Sequence, residues 1–424
     1  MKFSRDFPLI TGIDIGSAAV RIAVGQRVAQ GNISILQILA CAEVPSEGIH
    51  KGIITSIDDA VSSVSACLER AERLAGAPIE HAVVGISGSH ILSQQSKGVV
   101  AIAKSDGEIT EEDVARAIEA ARTVATPVNY EIIHVIPKTF TVDGQGGIKD
   151  PVGMTGVRLE VDAQIIQGVS SQIKNLSKVV YRTGVEIDSL VLSALASADV
   201  ITTPRQKELG VAVVNIGAST TSIAVFEEGD VLHTAILPIG SEHITSDIAI
   251  GLRTSIDVAE RVKVQYGTVN PRSVGRKEEI FLAELGAADQ EVVDRKYVAE
   301  IIEARVEEIL NKIDKELRTV ERSGLLPAGI LFIGGGARLD GFIEMAKKEL
   351  RLPAAHGYPM DLTSASDKVN DLAFATAIGL VDWGSENEVK QKRGNLFSSF
   401  RSEKKGGGSG TVKQVREWIR SLLP

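Results

Sequence analysis

The sequence of 424 residues is poor in aromatics and in cysteine, and it contains no long apolar run. Aromatic side chains make up only 4% of the chain, so its cores must be built from Ile, Val, Leu and Ala. Cys41 and Cys67 are the only cysteines, and both lie in apolar or helical surroundings. Two such thiols supply neither a disulfide framework nor a zinc ligand set, which fits a reducing cytoplasm. No segment reaches the roughly 18–20 apolar residues of a membrane span. Residues 1–8 run straight into the first strand without the apolar core of a signal peptide. No G-x-x-x-x-G-K-[ST] phosphate loop occurs. The dinucleotide fingerprint G-x-G-x-x-G fails as well, because its third glycine would fall at Leu339. What remains, 44% hydrophobic and 24% charged, is the composition of a soluble globular protein. Its length predicts two domains or more.

Charge is distributed unevenly. The net charge is −9, yet from Glu388 onward nine Lys/Arg face three Asp/Glu, which leaves about −15 on the preceding chain. An acidic body argues against non-specific nucleic-acid binding. The basic end needs a separate explanation.

The most informative stretch occurs twice. Ile13-Asp14-Ile15-Gly16-Ser17-Ala18-Ala19-Val20-Arg21-Ile22-Ala23-Val24 returns about 200 residues later as Val214-Asn215-Ile216-Gly217-Ala218-Ser219-Thr220-Thr221-Ser222-Ile223-Ala224-Val225. Each copy reads as an apolar strand, a tight glycine turn with small or hydroxyl neighbours, and a second strand. Glycine permits backbone conformations closed to other residues, and small neighbours let backbone N–H groups approach an anion. One strand–Gly–strand unit is common in β proteins. Two in one register, each opening a long α/β segment, predict a duplicated domain clasping a phosphate chain between its halves.

Along the chain, residues 31–46 read as a strand, and Thr55-Ser56-Ile57-Asp58 opens an amphipathic helix to about Leu74. His81–Ile86 reads as a buried strand. Residues 90–165 change texture, with a strand near Gly98–Ala103 and a helix capped by Thr110-Glu111-Glu112-Asp113. Strands near Tyr130–Ile136 and Lys138–Val142, a glycine-rich loop (Gly144, Gly146, Gly147) and a strand over Gly156–Ile166 follow. This strand–helix–strand–strand order predicts a module inserted into the first domain. Residues 170–184 and Leu190–Val200 read as helices. After the second hairpin come a strand pair within Val231–Ile239 and helices near Ser246–Gly251 and Asp257–Tyr266. Short strands are expected over 270–300, then a long helix over Lys296–Arg322 with apolar residues at helical spacing. The apolar run Gly329–Ile333 leads into Gly334-Gly335-Gly336-Ala337, then a helix from about Asp340 and a small, apolar element at Leu372–Val381. By itself the triple glycine reads equally as a structural turn and as a surface against which a base or ribose lies.

Phosphate loop, connecting helix, phosphate loop, adenosine loop and connecting helix form the pattern of the actin, heat-shock chaperone and sugar-kinase superfamily, which residues 13–24, 188–199, 213–225, 330–337 and 372–381 resemble. Glu260 and Lys263 match the superfamily helix whose Glu and Lys hold ribose and adenine, although an i,i+3 pair on a solvated face reads the same way. Three further stretches narrow the match: His134-Val135-Ile136-Pro137, Gly147-Ile148-Lys149-Asp150-Pro151-Val152-Gly153-Met154-Thr155-Gly156-Val157-Arg158-Leu159 and Ser246-Asp247-Ile248-Ala249. These resemble the bacterial cell-division FtsA family over nearly the whole chain.

The resemblance implies an α/β, actin-like (ribonuclease H-like) duplicated fold. Residues 1–83 and 167–200 would form subdomain IA and 84–166 the inserted IC. Residues 201–240 and 329–384 would form IIA, and 241–328 IIB. It implies ATP binding through Asp14, Gly16, Ser17, Ala18, Asn215, Gly217, Ala218, Ser219, Thr220, Gly240, Glu260, Lys263, Gly334, Gly335, Gly336 and Ala337, with Asp14 holding Mg2+ through water. It also implies filament formation and a tether for FtsZ filaments, whose C-terminal peptide would dock on 241–328, at the cytoplasmic face of the membrane at the division site. Asn215 stands where superfamily members carry Asp, and a neutral amide cannot supply a second carboxylate to order a metal and water. Binding with slow or absent turnover is the expectation. A pilus-assembly scaffold of the PilM type and a kinase of the same fold are the rival readings.

The tail points to lipid without help from the resemblance. Residues 385–410, with the run Lys404-Lys405-Gly406-Gly407-Gly408-Ser409-Gly410, read as a flexible linker. At 100° per residue, Val412, Val415, Trp418, Ile419, Leu422 and Leu423 share an arc of roughly 140°. Lys413, Arg416, Glu417 and Arg420 lie outside it. A short helix over 411–424 with Trp on its apolar face and basic flanks suits a membrane interface.

Overall fold

The computed structural model describes residues 8–30, 33–104, 106–123, 126–287, 291–364 and 366–386. The 411–424 segment, with Val412, Val415, Arg416, Trp418, Ile419, Arg420, Leu422 and Leu423, lies outside the described residues, as does most of the expected linker. Residues 385 and 386 still belong to a helix, over 375–386.

Two sheets share one plan. In the first, Ile10–Ile15 has antiparallel Ala19–Gln30 and then Ile33–Pro45 on one side, and parallel His81–Ile86 and then Glu186–Leu192 on the other. In the second, Val211–Ile216 has antiparallel Thr221–Glu227 and Asp230–Leu237 on one side, and parallel Ile330–Ile333 and Ala354–His356 on the other. The founding strand of each is buried except at its fifth residue, Asp14 in one and Asn215 in the other. The duplication read in the two hairpins therefore extends to whole sheets. Leu362–Ser364 returns to the first sheet beside Ile33–Pro45.

Helices follow from local chemistry. Ser56 caps the helix Ile57–Ala75, its hydroxyl accepting from the Asp59 N–H, and Gly76 ends it in the left-handed conformation. Between the sheets, helix Ser193–Ile201 crosses the 375–386 helix at very short range. A Cβ on Gly379 would lie 2.0 Å from the Ala196 carbonyl oxygen, and one on Gly12, in the strand Ile10–Ile15 beneath, 2.3 Å from that of Ala377. Ala194, Ala196, Ser197 and Ala198 are buried at this crossing, where larger side chains would hold the backbones apart.

The inserted module has its own sheet, ordered Ile91–Ala101, Arg158–Val169, Tyr130–Val142, Gln145–Ile148. Helix Glu111–Thr123 covers it, over a core that includes Ile109, Val114, Phe140, Leu159 and Ile165. Two expected strands merge here: Tyr130–Val142 is continuous through Pro137, and the pairing skips Lys138 as a bulge. The glycine-rich loop proves to be a hairpin, turning at Asp143 and Gly144, both with positive φ. Two further differences reflect tertiary pairing overriding local preference. Glu186–Leu192 is a strand, so the connecting helix starts only at Ser193. Val231–Ile239 yields one strand, Asp230–Leu237.

His134 ties the module to the first half. Its Nε2 accepts from the Leu192 N–H at 3.0 Å, and its ring lies 5.9 Å from that of Trp383. Burial lowers its pKa from 6.5 to about 4. Because folding depresses this pKa, the stabilisation is full above about 6.5 and is lost as pH falls toward 4. An NMR titration should show a neutral His134 ring at pH 5.5, and an apparent value near 6.5 would contradict this packing. Gly379→Val should cost about 1–3 kcal/mol in urea unfolding, as overpacking against a fixed backbone does. An unchanged midpoint would mean that the helices do not meet as described.

Candidate functional site

The two turns are geometric copies. Ile15 pairs with Val20 and Asp14 with Arg21 in the first, as Ile216 pairs with Thr221 and Asn215 with Ser222 in the second. The Gly16 N–H donates to the Ala19 carbonyl at 3.2 Å, and the Gly217 N–H to that of Thr220 at 2.9 Å. Neither glycine has a positive φ. The need for glycine is steric instead: a Cβ would lie 2.8 Å from the Ala19 oxygen at Gly16, and 2.9 Å from the Thr220 oxygen at Gly217. This corrects the conformational reason expected for them.

Around the second turn the fold gathers the other predicted residues. Helix Ser241–Leu252 begins against it, with the Ser241 N–H donating to the Gly217 carbonyl at 2.9 Å and the Glu242 N–H to that of Ala218 at 2.8 Å. The Ser219 hydroxyl donates to the Glu242 carboxylate at 2.5 Å. Gly240 fits only as glycine, since a Cβ there would lie 2.4 Å from the Ala218 oxygen. Gly334, at φ 86, abuts the Asn215 side-chain oxygen, and a Cβ on Gly336 would press on Ile216 and on Ser241. The Ala337 carbonyl accepts from the His356 ring at 3.0 Å, which steadies the glycine loop from behind. Gly335 has open space around its missing side chain.

Helix Ile256–Tyr266 closes this group. Lys263 is buried, at 8% exposure, while the Glu260 side chain is 46% exposed. The Lys263 ammonium meets the Glu260 carboxylate at 2.6 Å and donates to the Thr245 hydroxyl at 2.8 Å. Thr245 in turn donates to Glu260 at 2.5 Å. A buried ammonium is tolerable only with such partners.

The first turn stands across the interface between the halves. The Ser17 hydroxyl accepts from the Gly52 N–H at 3.2 Å, and the Ala18 carbonyl from the Ser46 N–H at 3.1 Å. Arg21 pairs with Glu43 at 3.1 Å. Burial raises the Asp14 carboxyl to about 6, against the opposing influence of Arg21. The Ser87 and Ser222 hydroxyls meet across the halves at 3.2 Å, and the Asn215 amide donates to the Thr376 hydroxyl at 3.2 Å. Sequence reading missed Thr245, Ser241, His356, Ser87 and Thr376. They are ordinary hydroxyl or imidazole residues without a motif, and only the packing selects them. Among the described residues no group of three or more His, Cys, Asp or Glu is arranged to hold a metal ion. A divalent cation at the first turn would thus rest on Asp14, water and the ligand's own oxygens.

A family model described as cell division protein FtsA matches residues 212–379, and a second, described as the SHS2 domain inserted in FTSA, matches 88–167. The chain is 35% identical over 416 residues to a cell division protein FtsA of Pseudomonas aeruginosa, covering 97% of both chains. It is 38% identical to that of Bacillus subtilis, over 91% of this chain and 85% of that one. For Escherichia coli K12 the identity is 32%, over 98% and 99%. Among solved structures, a PilM-PilN type IV pilus biogenesis complex aligns with TM-score 0.65 at 16% identity, over 89% of this chain and 98% of that one. MreB 5 of Spiroplasma citri bound to AMPPNP aligns with TM-score 0.53 at 14% identity, over 92% and 98%. At those identities the structural likeness establishes the actin-like fold and nothing further.

Thr245→Val should cost about 1–3 kcal/mol in denaturant unfolding, because it leaves the buried Lys263 ammonium short of an acceptor. A variant as stable as the parent would show that the Thr245 hydroxyl is not needed there.

Proposed function

The chain belongs to the FtsA family of cell-division proteins, and on that premise we propose that it is an ATP-binding, filament-forming, actin-like protein that anchors FtsZ filaments to the cytoplasmic face of the membrane at the division site. The observation that carries the nucleotide reading is the convergence of Gly217, Gly240, Gly334 and Gly336 beside buried Lys263. Main chain packed this closely, with open space beside Gly335, lets phosphate oxygens and a flat sugar or base approach peptide N–H groups. In this reading Gly16, Ser17 and Ala18 face the phosphates from one half, and Gly217, Ala218, Ser219 and Thr220 from the other. Glu260 and Lys263 hold the ribose and base edge, with Gly334, Gly335, Gly336 and Ala337 behind them. Asp14 orders the water shell of Mg2+, which screens the phosphate charge when bound.

Turnover is proposed to be slow or absent. Asn215 occupies the position equivalent to Asp14, its amide already donates to Thr376, and it carries no charge to order a metal.

The FtsZ C-terminal peptide is placed on residues 241–328. On adjacent helices there, Ile250 is 76% and Tyr297 47% exposed, and Arg253 follows in a left-handed turn. Apolar anchors beside a cation suit an acidic, partly apolar peptide. Membrane attachment rests on the amphipathic pattern of 411–424 alone.

Calorimetry should show ATP binding that weakens at least about tenfold in Lys263→Met, a loss of roughly 1.4 kcal/mol. Lack of affinity for adenine nucleotides in the parent would end the nucleotide reading. In liposome pelleting with anionic lipid, deletion of 411–424 should abolish sedimentation. Undiminished pelleting would remove the anchor.

A further inference from the structure

The 147–159 stretch is the most distinctive motif of the chain, and nucleotide binding leaves it without a role. The structure shows a rigid corner. The Ile109 N–H donates to the Met154 carbonyl and the Gly153 N–H to that of Ile109, both at 2.9 Å, while Gly156 donates to Gly107 at 2.9 Å. The Asp143 carboxylate accepts from the Val157 and Arg158 N–H groups, at 3.1 and 2.8 Å, and the Asp150 carboxylate from Val152 at 3.0 Å. What this corner presents is Lys149. Its ammonium crosses to the other half of the molecule, donating to the Glu228 carbonyl at 3.1 Å and pairing closely with the Asp230 carboxylate.

Two more contacts run alongside. Lys138, the bulged residue of the module, reaches the Leu232 carbonyl at 3.5 Å. The Ser93 hydroxyl accepts from Thr234 at 2.8 Å and from the Gln164 amide at 2.5 Å. Thr234 and Gln164 are buried, at 4% and 2% exposure. All three contacts land on Asp230–Leu237 or the turn before it, and that strand is the edge of the second sheet. The module is joined covalently to the first half and held there by His134 as well. It therefore spans both halves.

We propose that the 147–159 corner is a latch: Lys149 fastens the inserted module to the Glu228–Asp230 turn when the halves are closed, and their separation releases it, so that the module's position reports the state of the cleft. Rotation of one half against the other must break these contacts or carry the module along. Their chemistry suits release. Lys149 and Asp230 are 45% and 27% exposed, so water reaches both groups when they part. The Gln164 carbonyl oxygen is buried without a protein partner among the described residues. Polar, modest interfaces between parts of one chain are those that move.

The latch itself requires no nucleotide; only its control by ATP rests on the function proposed above. The full chain carries spin labels at Glu119→Cys on the module helix and Glu344→Cys on the second half, with the buried native Cys41 and Cys67 left in place. Pulsed electron resonance should give one narrow distance in the parent. Lys149→Met should broaden it into a second, longer population, and Lys149→Arg, which keeps a cation able to donate to both the Glu228 carbonyl and the Asp230 carboxylate, should keep the narrow distance. The same narrow distribution in Lys149→Met overturns the latch, as does a distribution in Lys149→Arg as broad as that of Lys149→Met. Calorimetry on the same samples separates the two proposals: broadening without ATP affinity leaves the latch standing and removes only the nucleotide reading.

Discussion

Most of this structure depends on backbone approaching backbone more closely than any side chain allows. The two glycine turns, the crossing of the connecting helices, and Gly334 and Gly336 are all places where a Cβ would come within 3 Å of a main-chain or side-chain oxygen, or of a side-chain carbon. At the turns and the crossing the fold needs a glycine for space, whereas Gly334 also takes a left-handed φ of 86. Gly16, Gly217, Gly12 and Gly379 all lack a positive φ. Close packing of this sort has little slack, because protein interiors are as dense as organic crystals.

That constraint links the cores to the site. Two sheets of one plan bring their glycine turns to the interface between the halves, and two helices rich in small residues cross behind them. The second turn is the better furnished: a helix start, a buried ammonium and a bare glycine loop converge there. The first turn brings a single carboxyl, Asp14, raised to about 6 by burial. The anion proposed for such a place would be bound mainly by main-chain N–H groups, which leaves side chains free to differ between the halves. Asp14 and Asn215 are the instance of that freedom with the greatest chemical consequence.

The inserted module adds a third body to a molecule otherwise built of two halves. It is fixed to the first half by the buried, neutral ring of His134 and to the second by exposed ion pairing and hydroxyl contacts. A strong joint on one side and a weak joint on the other let the module follow the first half and test the second. A cell-division protein that assembles with partners gains from such an arrangement, because a small change at a cleft reaches a surface far from it.

Local chemistry determined a good deal. The repeated hairpins, the capped helix after Ser56, the strand at His81–Ile86 and an inserted module of strands around one helix are legible because glycine spacing, capping residues and apolar periodicity act over a few residues. The family resemblance is legible in 147–159 for the same local reason. Tertiary pairing decided the rest. Leu190–Leu192 became strand because His81–Ile86 offers an open edge, and Pro137 stayed within one strand because a bulge at Lys138 excuses its missing N–H. That Lys263 is buried on Thr245, that Asn215 is held by Thr376, and that Lys149 crosses to Asp230 are contacts between residues 18, 161 and 81 positions apart. A pattern along the chain carries no record of such distances, since which side chains meet is fixed only when separate elements compete for the same buried space.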